Sequence, residues 1–330
     1  MIYKIAIIGC GDMGGQHAAA WKLRSDAEIV AVFDPDQERC EALAAKTGAS
    51  ICKTLEEAIV GHDVDVVSVC TPVCFHAGIS CMAMENGCHV LCEKPIALTA
   101  AQAGLMIDTA AKHDRKLVVS YQYRGFHKYQ KYREIFESGR FGGPIFARFV
   151  DVREVRPKTA MHRQSANGGP LIDMAGHFFD GMSFITGEVP KRVYARGHVF
   201  GKGKERLAGI PDLALDAAEI IVDYSGGHVL SAFVNWGMPE GSSVVGQEEL
   251  TGPQGIVRLV EDQVDAIFPD HVASYSLEER PVGPSVRIAD LLNAIETDSE
   301  PEVSGVIGRQ ALQVCLGAIE SIKSGRPIDL

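Results

Sequence analysis

A chain of 330 residues, 46% of them hydrophobic and with a mean hydropathy of +0.04, can bury a large core and is long enough for two domains. Its formal charge of −11 argues against the basic face that nucleic acid or an anionic membrane requires. No apolar run reaches membrane-spanning length, so a soluble protein with a small-molecule partner is expected. Eight of the nine cysteines lie between Cys10 and Cys92, mostly inside apolar runs, and no Cys-x-x-Cys pair offers a zinc spacing. They read as reduced core thiols with no metal, which points to the cytoplasm.

The chain opens on a strand, Tyr3 to Ile8, without a basic region or cleavage site before it. Gly9-Cys10-Gly11-Asp12-Met13-Gly14 follows directly and runs into a helical stretch through Trp21. Alone, Gly-x-Gly-x-x-Gly is a weak signal; between a strand and a helix it is a dinucleotide fingerprint. Gly9 permits the tight turn, Gly11 lets the backbone approach a pyrophosphate, and Gly14 allows the helix to pack closely. The helix N-terminus then offers N–H groups to the phosphates. A second strand, Glu28 to Phe33, ends in Asp34, twenty residues after Gly14. A carboxylate there accepts hydrogen bonds from a ribose and repels a 2′-phosphate, so NAD is expected over NADP.

Strand and helix keep alternating through Val64 to Cys70, closed by Thr71-Pro72, and then a helix holding His76. The next apolar run, Val90-Leu91-Cys92, stops abruptly at Glu93-Lys94-Pro95. Proline lacks an N–H and ends the strand, which leaves Lys94 at its carboxyl end. In an open α/β sheet that edge is where ligands bind, although a lysine in a turn is by itself ordinary. With Leu117 to Ser120 as the last strand, residues 1–121 read as a doubly wound parallel sheet.

From Tyr121-Gln122-Tyr123-Arg124 the rhythm changes. A helix ends at Gly139, and strands dominate residues 122–330: Pro144 to Val152, Arg192 to Val199, Ala214 to Tyr224, His228 to Trp236 and Glu248 to Val260. Ser225-Gly226-Gly227 predicts a tight hairpin and hence antiparallel pairing. Helical patterns return at Ala289 to Glu296 and Gly305 to Ser324. Within Gly168-Gly169-Pro170-Leu171-Ile172-Asp173-Met174-Ala175-Gly176-His177, Pro170 suits a first helical turn. Asp173 and His177 then share one helical face, where the carboxylate can orient the imidazole.

The glycine loop, Glu93-Lys94-Pro95 and the Gly-Gly-x-Leu-x-Asp-x-x-x-His run together resemble the glucose-fructose oxidoreductase and inositol dehydrogenase (Gfo/Idh/MocA) family. The resemblance covers the whole length and includes Thr71-Pro72 with His76, Gly139-Arg140-Phe141-Gly142, Asn235-Trp236 and the closing Ser324-Gly325-Arg326-Pro327-Ile328. It implies a Rossmann domain followed by an open, mainly antiparallel sheet domain. The last helix is then expected to return to the first domain, and the open sheet to serve a homodimer or homotetramer.

By the same resemblance, Lys94 holds the substrate hydroxyl near the nicotinamide, Asp173 partners it, and His177 is the general acid or base. Glu93 stands behind the lysine as a positioning group, while Thr71, Pro72 and His76 line the ribose and nicotinamide end. Two positions depart from the family's pattern: Val73 replaces an asparagine, and Met161-His162-Arg163 occupies the place of a Trp-Arg pair. Tyr123, Arg124, His162 and Arg163 are further candidates to meet the substrate. The expected activity is NAD-dependent oxidation of a secondary alcohol on a polyol, inositol or sugar derivative. The alternatives are a non-catalytic NAD-binding regulator, which in this family has usually lost the lysine and histidine, and a glycosidase that oxidises transiently without accumulating NADH.

Overall fold

The computed structural model describes residues 2–242, 245–277 and 283–330. The chain divides into two compact units, Met1–Gln122 with Pro281–Arg309, and Tyr123–Arg280 with Gln310–Leu330. In the first unit β1 (Tyr3–Ile8), α1 (Asp12–Lys22), β2 (Ala27–Phe33), α2 (Gln37–Thr47), β3 (Ser50–Ile51), α3 (Leu55–Val60), β4 (Val66–Val69), α4 (His76–Glu85), β5 (His89–Cys92), α5 (Ala100–Lys112) and β6 (Leu117–Val119) alternate. All strand pairs are parallel, in the order β3-β2-β1-β4-β5-β6. The strand order reverses between β1 and β4, so the loops after these two strands flank the crevice where such sheets bind ligands.

The strands are short apolar runs because helices cover both faces, and β1, β4 and β5 are almost wholly buried. Helix starts follow from local chemistry. The Asp36 carboxylate accepts from the Glu38 and Arg39 N–H groups ahead of α2, and the Thr54 and Thr99 hydroxyls cap α3 and α5.

In the second unit α6 (His127–Glu137), β7 (Phe146–Glu154), α7 (Pro170–Asp173), α8 (Ala175–Thr186), β8 (Pro190–His198), β9 (Ala217–Tyr224), β10 (Val229–Met238), β11 (Val245–Gly252), β12 (Gly255–Val260), β13 (Gln263–Phe268) and β14 (His271–Ser276) precede α9 (Pro284–Glu296), α10 (Gly305–Ser324) and β15 (Ile328–Asp329). Nine strands form one sheet in the order β14-β13-β12-β11-β7-β10-β9-β8-β15. It is antiparallel except for the β7–β10 pair. The hairpin at Ser225-Gly226-Gly227 joins β9 to β10, with Gly227 at φ +85°.

Three elements differ from the sequence reading. The run Glu248 to Val260 is two strands, β11 and β12, because Pro253-Gln254 make a two-residue turn between the paired Gly252 and Gly255. The hairpin of β13 and β14 beyond it was not predicted, although Val264, Ala266 and Phe268 alternate as a half-buried strand does. Asp173 and His177 do not lie on one continuous helix. The chain breaks at Met174, so that Asp173 ends α7 and His177 belongs to the first turn of α8.

Of the late helices, α9 lies in the first unit, where Ile288, Leu291 and Leu292 join a core of Ile5, Ile7, Trp21 and Leu91. Leu291 is fully buried there. We expect Leu291→Ala to destabilise the first unit by about 2–5 kcal/mol, the cost of a buried leucine plus its cavity. Urea unfolding followed by the loss of NAD binding would measure it, and an unchanged midpoint would place α9 outside that core.

Candidate active site

At the carboxyl end of β1, Gly9 takes φ +97°, and a Cβ there would lie 2.7 Å from the Cys70 carbonyl group after β4. A Cβ on Gly14 would overlap the Gly9 carbonyl oxygen, so α1 can approach β1 only without one. Gly11 is different. It is the N-cap of α1 and has no capping side chain, and a Cβ placed on it meets only Arg39 Nη1, at 3.9 Å. No packing contact within the chain requires a glycine at this position. Asp12 and Met13 begin α1 immediately beyond it.

Asp34 faces this loop from the end of β2. One carboxylate oxygen accepts from the Cys10 N–H at 2.8 Å and the other from the Asp36 N–H at 2.9 Å. The acid thus ties the glycine loop to the β2 edge, and an oxygen's second lone pair can still meet a ribose hydroxyl. After β4, the buried Thr71 hydroxyl oxygen has no hydrogen-bond partner among the described residues, as a ligand-facing group would. Pro72 next to it is exposed.

His76 is a brace in this region. Its Nδ1 lies 2.9 Å from the Pro95 carbonyl oxygen and its Nε2 2.9 Å from that of Thr71. Burial pushes its pKa down against the pull of these two carbonyls. The ring joins the loop after β4 to the loop after β5.

Glu93 follows β5 and is only 6% exposed, although it is an acid. Its Oε1 lies 2.9 Å from His17 Nε2, its Oε2 accepts from the Lys94 N–H at 3.2 Å, and Ser120 adds a side-chain hydrogen bond. Burial pushes the carboxyl up, but the bond from His17 and the charges of His17 and Lys94 overcome it, leaving the group below its ordinary value. Behind the histidine, Nδ1 lies 3.2 Å from Ser68 Oγ, which also accepts from Trp21 Nε1 at 2.9 Å. His17, Ser68 and Ser120 were not singled out in the sequence. They lie on α1, on β4 and just after β6, and only the folded sheet brings them to Glu93. Lys94 itself is half-buried at the same carboxyl edge as the glycine loop, and its peptide bond to Pro95 is cis.

In the second unit, Gly168 and Gly169 adopt φ +76° and +75°, and a Cβ on Gly169 would lie 2.5 Å from that of Ala214. This tight passage delivers Pro170 to the start of α7 and buries both Asp173 and His177. The imidazole of His177 is stacked by the Tyr123 ring, with centroids 4.2 Å apart and planes 16° from parallel. Burial raises the Tyr123 phenol, and the nearby charges of Glu248 and Asp151 add to it. Arg153, which the sequence reading missed, is forked onto Asp151 and also feels the charges of Tyr123 and Asp173. Trp236 donates to the same Asp151 at 2.8 Å.

The other proposed substrate contacts have structural partners. Arg124 forms a buried ion pair with Asp180, at 2.6 Å and 3.0 Å. Arg163 pairs with Asp212 near the surface. His162 is buried, and its Nε2 accepts from the Arg156 N–H at 2.9 Å. Burial, with Arg156 beside it, pushes its pKa down to about 4. Among the described residues, no group of three or more His, Cys, Asp or Glu side chains could hold a metal ion, and no helix is long and apolar enough to cross a membrane.

A parallel sheet in this strand order, with a glycine loop between β1 and α1, has the architecture of a dinucleotide-binding Rossmann domain. Residues 3–121 match the oxidoreductase family profile described as an NAD-binding Rossmann fold, and residues 129–258 match the GFO/IDH/MocA C-terminal domain. The chain belongs to the Gfo/Idh/MocA family, and is an NAD-dependent dehydrogenase of the kind that acts on CH–OH groups. It is 34% identical over 212 residues to the D-glucoside 3-dehydrogenase of Escherichia coli K12, which covers 62% of this chain and 60% of that relative. It is 26% identical to the myo-inositol 2-dehydrogenase of Thermotoga maritima over 99% of this chain and 98% of the relative. The crystal structure of an oxidoreductase domain protein from Kribbella flavida superposes with a TM-score of 0.87 at 25% identity, covering 100% of this chain and 99% of that one.

The two glycines should separate by experiment. Gly11→Ala is expected to leave the thermal midpoint of the cofactor-free protein unchanged while weakening NAD binding about tenfold or more, whereas Gly14→Ala lowers both. Equal NAD affinity in Gly11→Ala and wild type would contradict the cradle. His162 gives a pH test. Its folded-state pKa lies below the ordinary value near 6.5, so its contribution to stability is complete above that pH and is lost as the pH falls toward about 4. His162→Gln should therefore flatten the fall of the melting midpoint over this window; an identical slope would show that the ring takes up no proton on unfolding.

Proposed function

We propose that the protein oxidises, reversibly, a secondary alcohol on the ring or chain of a sugar, inositol or other polyol. The observation that carries this is the position of Lys94. It follows the buried, anchored Glu93 at the carboxyl edge of the sheet that also carries the glycine loop, the edge where the reactive end of a dinucleotide belongs. The printed names of the relatives, which act on a glucoside and on an inositol, support the substrate class.

In this reading Gly9, Gly11, Asp12, Met13, Gly14, Asp34, Thr71, Pro72, Glu93 and Lys94 would hold NAD, which would supply the hydride acceptor, with His76 bracing Thr71. The Lys94 ammonium binds the substrate hydroxyl and stabilises the alkoxide character that develops on its oxygen. His177 removes the hydroxyl proton and returns it in the reverse direction. Asp173 aligns the reacting groups, and the Tyr123 ring fixes the plane of the imidazole. Arg153, which is bonded to Asp151 and feels the charge of Asp173, is the residue we add to the substrate side.

Pairing register puts Phe146, Ile221, Val245, Val260 and Val272 on one exposed face of the nine-stranded sheet. These exposed apolar side chains, which share the face with Arg148, Glu219 and Arg258, support a homodimer or homotetramer formed through the sheet. The nine free cysteines support a reducing, cytoplasmic location.

The test is NADH absorbance with a panel of inositols, hexoses, hexosides and their acids. A turned-over substrate should accumulate NADH, and Lys94→Ala and His177→Ala should each lower kcat by about 10²–10⁴-fold, with NAD affinity retained in His177→Ala. Near-normal turnover in either variant would refute that residue's role, and hydrolysis without net NADH would assign a glycosidase instead.

A further inference from the structure

We propose that His17 is a positioning residue for Lys94, acting through Glu93; this rests on the role given to Lys94 above. His17 is fully buried on α1, about one turn beyond Gly14, and therefore belongs to the helix whose N-terminus forms the cofactor cradle. The hydrogen bonds behind it have a direction. An indole nitrogen can only donate, so Ser68 Oγ accepts from Trp21. An ionised carboxylate can only accept, so His17 Nε2 carries a proton toward Glu93 Oε1, 2.9 Å away, while Nδ1 lies 3.2 Å from the serine hydroxyl. The chain Trp21 to Ser68 to His17 to Glu93 thus ends on the carboxylate that also accepts the backbone N–H of Lys94.

A buried carboxylate left without donors is costly and moves or takes up a proton. The groups facing Glu93 are His17, Lys94 and Ser120, with His76 and the Cys70 thiol also within its field. His17 is the largest of those that hold it ionised. One histidine therefore fixes two things at once: the charge beside the lysine, and the separation between the glycine loop and the strand edge that carries the lysine. A pair that only packed helix against sheet would not require an ionised partner.

The test compares His17→Leu, which removes the donor, with His17→Gln, whose terminal amide can replace it, in the full-length protein. In His17→Leu, kcat should fall about 10- to 100-fold, in line with a misplaced reacting group, while the Kd for NAD stays close to wild type. The acid limb of its kcat profile should move toward neutral pH because Glu93 protonates more easily; His17→Gln should recover most of the kcat and the limb. Independently of activity, ¹⁵N-histidine NMR of the cofactor-free protein should show a slowly exchanging Nε2 proton that Glu93→Ala abolishes. A folded His17→Leu with wild-type kcat and an unmoved limb would overturn the proposal. If that variant does not fold, a wild-type limb in Glu93→Gln would overturn it equally. Failure here leaves Lys94→Ala inactive; failure of the Lys94 reading itself would appear as activity in Lys94→Ala.

Discussion

A carboxylate enclosed at the end of a parallel strand must be matched by donors, and in this protein Glu93 recruits them from three directions. His17 reaches it from α1, Ser120 from beyond β6, and the Lys94 N–H from the same strand. Burial would otherwise drive a proton onto the acid, so its ionised state depends on all of them. Because the donors come from separate elements, the carboxylate cross-links the helix that carries the cofactor cradle to the strand that presents the lysine. The carboxyl edge of β5 is built around that one charge.

The cradle uses the same device a second time. Asp34 spends its carboxylate on the Cys10 and Asp36 N–H groups, so the glycine loop is held by the protein itself. His76 stands between two carbonyls, those of Thr71 and Pro95, each 2.9 Å from a ring nitrogen, and its neutral ring donates to one of them. Such preorganisation removes ordering costs from binding and keeps reacting groups within narrow tolerances.

Much of this was legible where chemistry is local in the sequence. Gly9, Gly11 and Gly14 stand within six residues, Asp34 follows at the spacing a βαβ unit imposes, and Pro95 marks where β5 stops. Gly305 to Ser324 was read to its boundaries because its periodicity is long. What was hidden depends on pairing across the chain. His17 and Glu93 are 76 residues apart, and His17 and Ser68 are 51 apart, so neither suggests the other until the sheet closes. The same reason explains Arg124, read as a substrate contact but paired with Asp180, 56 residues away. Asp173 and His177 were read on one helix because a spacing of four carries no sign of the break at Met174. The hairpin of β13 and β14 was lost because its strands are short and mostly half-exposed.

That Glu93 serves catalysis by way of its neighbour, and not as an independent contributor, can be examined in a single-turnover double-mutant cycle that follows hydride transfer in Glu93→Gln, Lys94→Ala and the combined variant. The account predicts strong non-additivity, with the double variant no slower than Lys94→Ala alone. Losses that simply multiply would show that the acid and the lysine act separately, and would contradict it.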